Sequence, residues 1–268
     1  MKLNTIVLSF TLLVIFGCKQ QEHKKENVTN SNTEIIQVEK IPDNLVDWLH
    51  AINSANIDAL QNSYHANAIK IISADSILSG APQIANSYNS HKNKIISIES
   101  LFSVEASKEK GITYELVKYK TITHKEYIQL VIWSMENEKV IREFEFTETT
   151  NTTSANVDIT DIDDRRNLWI ERCNANNAEN LVKQLYSSNT MYFNHKPLVR
   201  GTEDLIAEYD YMNDKNYSLN LQPLKLAIVN ANFVFEIGQC SGSYNGKYIL
   251  IWKKHTDGNW YIYIDSNI

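Results

Sequence analysis

Tyr261, Tyr263 and Asp265 recur at every second position near the end of the chain, the spacing that puts side chains on one face of a strand. Tyr248, Leu250 and Trp252 do the same on the preceding segment, Tyr192 and His195 fall on a short stretch read as a β pair, and Arg200 stands before Gly201. A carboxylate or imidazole in an apolar pocket has its pKa moved toward neutrality, and a neighbouring hydroxyl can then hold a developing oxyanion. Tyr192, His195, Arg200, Tyr248, Trp252, Tyr263 and Asp265 are therefore the candidate lining of an aromatic ligand pocket with one acid and one base. The same residue types also have ordinary uses: Tyr and Trp bury their rings with the polar tip at a surface, and an Asp at a strand end forms turns. No catalytic residue is assigned. Earlier in the chain the acid-base candidates are Glu115, His124, Glu143 and Glu145, but Arg142, Phe144 and Phe146 alternate with the last two glutamates. That pattern reads as a half-exposed strand with a solvated acidic face.

Other chemistries find no footing. The seven histidines are scattered, with no HExxH, no His/Cys pair at zinc spacing and no acidic calcium loop, so no metal and no cofactor is expected. Gly238 and Gly242 do not introduce a helix and read as a bulge or bend rather than a nucleotide loop. A serine nucleophile elbow is absent. Without residues 1–17 the chain carries 25 basic against 32 acidic residues, a balance of −7 with no basic stripe, which excludes a nucleic-acid partner.

At the N-terminus, Lys2 is followed by an apolar run from Ile6 to Phe16 broken only by Ser9 and Thr11. This is the layout of a secretory signal, and it is too short to span a bilayer, which takes about 20 apolar residues. Ile15-Phe16-Gly17-Cys18 then resembles the lipobox of bacterial lipoproteins, with Phe16 where a small residue is usual. The resemblance implies a signal peptide over 1–17, palmitate and diacylglycerol on Cys18, and a lipid-anchored exported protein. Lys19-Gln20 lacks the Asp that often accompanies inner-membrane retention, so the outer membrane is expected. Residues 18–41 are polar, with no apolar cluster before Ile35, and read as a disordered tether reaching about 25 Å. Cys173 and Cys240 remain in a compartment that permits disulfides, either as a pair or as two separate buried thiols.

The elements that must position the candidate pocket come twice. An offset of 121 residues aligns Trp48 with Trp169, Asp43 with Asp164, Asn53 with Asn174, Asn56 with Asn177, Leu60 with Leu181, Gly80 with Gly201 and Tyr88 with Tyr209; near the far end the offset falls to 119 for Ile132-Trp133 and Ile251-Trp252, and to 120 for Glu145 and Asp265. One register held across so many features marks an internal repeat. In each copy the spacing predicts two helices, the first capped by Asp43 and the second taking in Ile57, Leu60 and Tyr64. A short β pair follows (68–73 and 77–78), then a helix entered near Pro82, then four long strands beginning near Lys94, Ile112, Tyr127 and Lys139. Asn245-Gly246 and Asp257-Gly258 are the strongest hairpin signals in the second copy. The domains expected are 42–148 and 164–268, joined by a linker over 149–163.

This order of elements, with the Trp-x4-Asn-x2-Asn pattern at Trp48 and Trp169, the glycine-then-helix step at Gly80 and Gly201, and the endings Ile132-Trp133 to Glu145 and Ile251-Trp252 to Asp265, resembles the nuclear transport factor 2-like fold in its SnoaL-like branch. The resemblance implies an α+β class of two tandem cone-shaped domains, each with N-terminal helices packed on a curved antiparallel sheet around a pocket. Members of that group include isomerases, cyclases, dehydratases, hydrolases, noncatalytic binding cups and dimerising scaffolds, so fold leaves function open. The reading adopted is a cup for a small organic ligand in the second domain, with an acid-base enzyme of isomerase or dehydratase type and a protein-interaction scaffold as alternatives. Because related single domains often dimerise through their sheets, the tandem copies are expected to form an intramolecular pseudo-dimer.

Overall fold

The repeated motif is a set of brackets that tie helices to a sheet. In the computed structural model, which describes residues 42–90, 93–150 and 157–268, helices α1 (Asp43–Asn53) and α4 (Ile159–Asn174) bury Trp48 and Trp169 on their apolar faces. The last residue of each holds a distant strand by its backbone. Asn53 donates to Ile95 O at 2.9 Å and accepts from Ile95 N at 2.8 Å; Asn174 does the same with Leu219 at 3.1 and 2.9 Å. Asn56 and Asn177 cap α2 (Ile57–Gln61) and α5 (Ala178–Leu185), their side chains accepting from Ala59 N and Asn180 N. Gly80 and Gly201, at φ +88° and +83°, turn the chain into α3 (Ala81–Ser87) and α6 (Thr202–Glu208), a conformation costly to other residues.

Each copy contributes six strands. The first sheet comprises β1 (Tyr64–Ser73), β2 (Ser76–Ser79), β3 (Ile95–Ser107), β4 (Ile112–Thr121), β5 (Glu126–Glu136) and β6 (Lys139–Thr149), in the order β2-β1-β6-β5-β4-β3. The second comprises β7 (Tyr186–Phe193), β8 (Val199–Arg200), β9 (Leu219–Asn230), β10 (Phe233–Gly242), β11 (Gly246–Lys254) and β12 (Trp260–Asn267), in the order β8-β7-β12-β11-β10-β9. The class is α+β, with helices on a curved sheet twice over.

Several details depart from the sequence reading. The sheets are mixed, because β1 pairs parallel with β6 and β7 parallel with β12. Tyr64 opens β1 instead of extending α2, since its hydroxyl is needed inside the cone. Pro42, not Asp43, stands at the α1 N-cap. Helix α4 begins at Ile159, inside the stretch read as linker, because Asp158 caps it through Thr160 N and Ile162 is fully buried. Gly246 starts β11 with no left-handed backbone, so Asn245-Gly246 is not a two-residue turn. The signal segment 1–17, Cys18 and the tether 18–41 lie outside the described residues, as do 151–156 of the linker. Among the described residues no helix is long and apolar enough to cross a membrane.

Three apolar cores result. One lies inside each cone, between helices and the concave face of its sheet. The third joins the convex faces: Phe144 stacks on Phe193 with ring centroids 5.1 Å apart, and Phe146 meets Phe233, Phe235 and Tyr263 at 5.9, 5.5 and 5.9 Å. Polar contacts rim this core, including Asn230 Nδ2 donating to Thr149 O at 2.8 Å. Truncating Phe146 removes a ring at the centre of the shared core, so Phe146→Ala is expected to destabilise by about 3–5 kcal/mol. Urea unfolding measures it, and a loss below about 1 kcal/mol would show that the shared core contributes little.

Candidate functional site

Both copies break strict alternation at the same place on their last strand. In β12, Ile251 faces Ile264 and Trp252 faces Ile262, which leaves Tyr263 as an extra residue; in β6, Ile132 faces Phe144 and Trp133 faces Arg142, which leaves Glu143. A bulge of this kind re-aims the residues after it. Trp260 and Ile262 therefore point into the second cone, Tyr263 and Ile264 into the core between the sheets, and Asp265 back into the cone. The expectation that Tyr261, Tyr263 and Asp265 share a face is wrong for this reason.

Asp265 is 3% exposed, and both of its hydrogen-bond donors converge on Oδ2: Tyr186 Oη at 2.6 Å and Tyr209 Oη at 2.6 Å. Trp169 Nε1 in turn donates to the Tyr186 oxygen at 2.9 Å. Burial pushes the Asp265 carboxyl up to about 6, the two hydroxyls pulling against it, and no cation enters the balance. Burial, with the Asp265 charge, raises both tyrosines well above their usual value, so they remain donors. Asp265 lies in the wall of a cavity of about 540 Å³ lined also by Trp169, Tyr192, Tyr209, Tyr211, Tyr217 and Tyr248, a size suited to a small organic molecule.

Of the seven candidate residues, three line this cavity. Besides Asp265 they are Tyr192, whose hydroxyl donates to Asn267 Oδ1 at 3.0 Å, and Tyr248, whose hydroxyl donates to Glu236 at 2.7 Å. The other four lie elsewhere. Trp252 is fully buried deeper in the cone, its Nε1 donating to Glu236 at 2.8 Å. Tyr263 belongs to the core between the sheets. His195 Nδ1 sits 2.8 Å from Glu143 of the first copy, and Arg200 Nη2 donates to Ala74 O there at 2.6 Å. These two polar side chains serve the junction between the copies. Cys173 and Cys240 are separate buried thiols; burial pushes Cys173 up to about 12 and raises Cys240 as well, which leaves both unreactive.

Sequence reasoning passed over Tyr186 and Tyr209. The signal was present for Tyr209, which aligns with Tyr88 at the same offset as the tryptophans and meets the acid that aligns with Glu145.

The first cone shows that pairing fully occupied. Trp48 Nε1 donates to Tyr64 Oη at 2.9 Å, and Tyr64 and Tyr88 donate to Glu145 at 2.9 and 2.6 Å. Here two cations join: Arg142 Nη1 is 2.8 Å and Lys70 Nζ 3.3 Å from Glu145. Glu145 and Arg142 are fully buried, so the solvated acidic face expected of this strand is corrected; the bulge at Glu143 turns Glu145 inward. Glu115 is buried too, accepting from Trp133 Nε1 and Ser100 Oγ. Burial alone would raise the Glu145 carboxyl, but Lys70, Arg142 and the two tyrosines together hold it below its usual range. Burial lowers the Lys70 ammonium in spite of Glu145 beside it. Arg142 fills the interior, its guanidinium 3.7 Å from the Trp48 ring centroid.

Gly238 shapes the wall of the second cone. It faces Tyr248 across β10 and β11, and a Cβ there would lie 2.1 Å from the Tyr248 ring. Gly238→Ala is expected to displace that ring, unpair its hydroxyl from Glu236 and destabilise by about 1–3 kcal/mol. Near-ultraviolet circular dichroism checks it, and an unchanged aromatic spectrum would contradict the packing described.

No family model matches the chain, and no curated protein matches it by sequence. Among solved structures it is similar to an NTF-2-like protein of unknown function from Shewanella oneidensis MR-1, at 17% identity and a TM-score of 0.36 over 40% of this chain and 96% of the other. A ketosteroid isomerase-like protein from Erwinia carotovora atroseptica SCRI1043 is 11% identical, with a TM-score of 0.36 over 42% of this chain and 95% of its own. A DUF4783 family protein from Bacteroides fragilis YCH46 is 10% identical, with a TM-score of 0.32 over 41% and 100%. The neighbours are thus NTF-2-like proteins among others, each spanning about two-fifths of this chain.

Proposed function

We propose that the second cone is a binding cup for a small organic ligand, carried by a chain anchored to the outer membrane through lipid on Cys18, with the two copies acting as one pseudo-dimeric body. The observation that carries the cup is the contrast between the cones. Equivalent acids sit behind equivalent tyrosines, but in the first Lys70 and Arg142 cover the acid and leave a cavity of about 250 Å³ beside Lys70 and Tyr88, whereas in the second the acid itself lines a cavity of about 540 Å³. A buried carboxylate and tyrosine hydroxyls on an aromatic wall provide a few directional contacts at the inner end of an open cavity, a composition that suits a ligand site. The anchor rests on the apolar run and on Gly17-Cys18.

Thermal unfolding of the full chain in a nonionic detergent, against a library of amines, alcohols, sugars, aromatics and short acyl compounds, tests the cup. A ligand at 100 times its Kd adds about 2.7 kcal/mol and moves the transition visibly. A hit lost in Asp265→Asn supports the reading, and no shift from any class overturns it. Labelling with an alkyne palmitate, lost in Cys18→Ser, tests the anchor.

A second reading is favoured by Asp265 itself. A carboxyl held at about 6 is poised for proton transfer near neutral pH. Turnover of a bound compound that stops in Asp265→Asn would make the cup an acid-base enzyme.

A further inference from the structure

The two cones differ in one respect that identifies a ligand class. On the parallel pair β1–β6, Lys70 stands opposite Glu145; on the equivalent pair β7–β12, Tyr192 stands opposite Asp265. The Lys70 ammonium lies 3.3 Å from Glu145 Oε1 and 3.3 Å from the centroid of the Tyr88 ring, whose hydroxyl binds the same carboxylate. The second cone keeps the ring and the carboxylate, as Tyr209 and Asp265, without the ammonium. Arg142 is also replaced: it faces Trp133 in the first cone, where Ile262 faces Trp252 in the second. The first cone thus carries, covalently, a cation on this acid; the buried cation of the second, Arg166, is paired instead with Glu236 and Asp163, and Asp265 is left with the receiving groups alone.

We propose that the second cone takes an organic cation, a primary or quaternary ammonium on a small apolar body, with its charge between the Asp265 carboxylate and the face of Tyr209. The inference rests on the cup reading above. Aromatic faces attract cations through their quadrupole, most strongly where water is excluded. Here Tyr192 and Tyr209 meet edge to face at 5.3 Å, and Tyr209, Tyr211 and Tyr217 continue the series at 6.1 and 5.3 Å. The titratable groups around Asp265 are Tyr186 and Tyr192 from β7, Tyr209 and Tyr211 beyond α6, Cys240 from β10, Tyr248 from β11 and Tyr114 from β4 of the first copy; none of these is cationic. Lys110, Lys196 and Glu208 line the mouth, where solvent and salt screen them.

A cation can bind only as far as Asp265 is ionised, which sets the sign of the pH dependence. For a permanent cation, affinity rises as pH climbs through about 6 and levels above it. Between pH 5 and pH 7 the gain is about ten-fold.

Isothermal titration of the full chain with phenethylammonium and benzyltrimethylammonium, against the neutral 2-phenylethanol, tests the assignment. The cations are expected to bind at least about ten-fold tighter than the alcohol, and Asp265→Asn to remove that preference. Tyr192→Lys, which restores an ammonium at the Lys70 position, is expected to abolish cation binding in a chain whose circular dichroism is unchanged. Short-chain phosphatidylcholine below its micelle concentration tests a lipid headgroup as the source, and its binding would also support the proposal. If the alcohol binds as tightly as the cations, the cation assignment fails and the cup stands. If no probe of either charge binds, both fail.

Discussion

Asp265→Asn is expected to raise the melting temperature at pH 8 and to abolish the cation recognition proposed for the second cone. The Asp265 carboxyl titrates at about 6 in the folded chain against an ordinary 3.8, a difference of about two units. An acid raised by folding binds its proton more tightly in the native state. Its contribution to stability is therefore greatest below the ordinary value, falls as pH climbs from about 3.8 to about 6, and stays low above that. Two units correspond to about 3 kcal/mol, an upper bound for what the neutral amide recovers. The amide oxygen can still accept from Tyr186 and Tyr209. For a chain of this size each kcal/mol is about 2–4 °C, so a gain of several degrees is expected at pH 8 and almost none at pH 4. Equal melting temperatures for variant and parent across that range would show that Asp265 is not an uncompensated charge. Such an exchange of stability for a functional carboxylate is the usual pattern at binding sites.

The largest loss is expected in the other cone. Arg142 has no exposed surface, donates to Gln129 Oε1 at 2.9 Å and to Glu145 Oε2 at 2.8 Å, and packs against Trp48 and Trp133. Arg142→Met keeps most of the volume but strips Glu145 of one of its two cations, and breaking a buried pair by removing one partner costs about 3–5 kcal/mol. Lys70 remains, which places the expectation toward the lower end. Because Glu145 is held below its usual range, the stability it contributes is present above that range and lost as pH falls through its folded value. The deficit of Arg142→Met should accordingly be largest at neutral pH and shrink on acidification, because without Arg142 the carboxyl takes up its proton at a higher pH than in the parent. Adding Glu145→Gln should recover about half of it at neutral pH, since a neutral partner no longer needs a cation. Urea unfolding at pH 7 and pH 4.5 measures all three, and a deficit independent of pH would assign the loss to packing alone.

Much of this architecture was legible in the residues. The offset that aligns Trp48 with Trp169 also aligns Asn56 with Asn177 and Gly80 with Gly201, and the latter two matches have a local cause, a cap and a left-handed turn. Such features depend on a few consecutive residues and on backbone geometry, which is why their spacing survives as a pattern. The site was legible only in part. Tyr192, Tyr248 and Asp265 were found from strand spacing, whereas Tyr263 was misplaced and Glu145 was taken for a solvated residue, both through the same bulge. One extra residue reverses every side chain beyond it, and nothing in Phe144-Glu145-Phe146 announces that reversal.

Residue spacing alone carried the two copies, the order of elements in each and the acid on each last strand, though not the start of β1 at Tyr64, the start of α4 at Ile159 or the turn before Gly246. What those acids do was settled by packing. Lys70 and Tyr192 are distant in sequence from the carboxylates they face, and Arg142 meets Glu145 because the extra residue Glu143 puts the two on one face of the strand. Whether a buried acid is neutralised from within or left open depends on which side chains the fold brings within a few ångströms of it, and that distance is set by the packing of the whole cone.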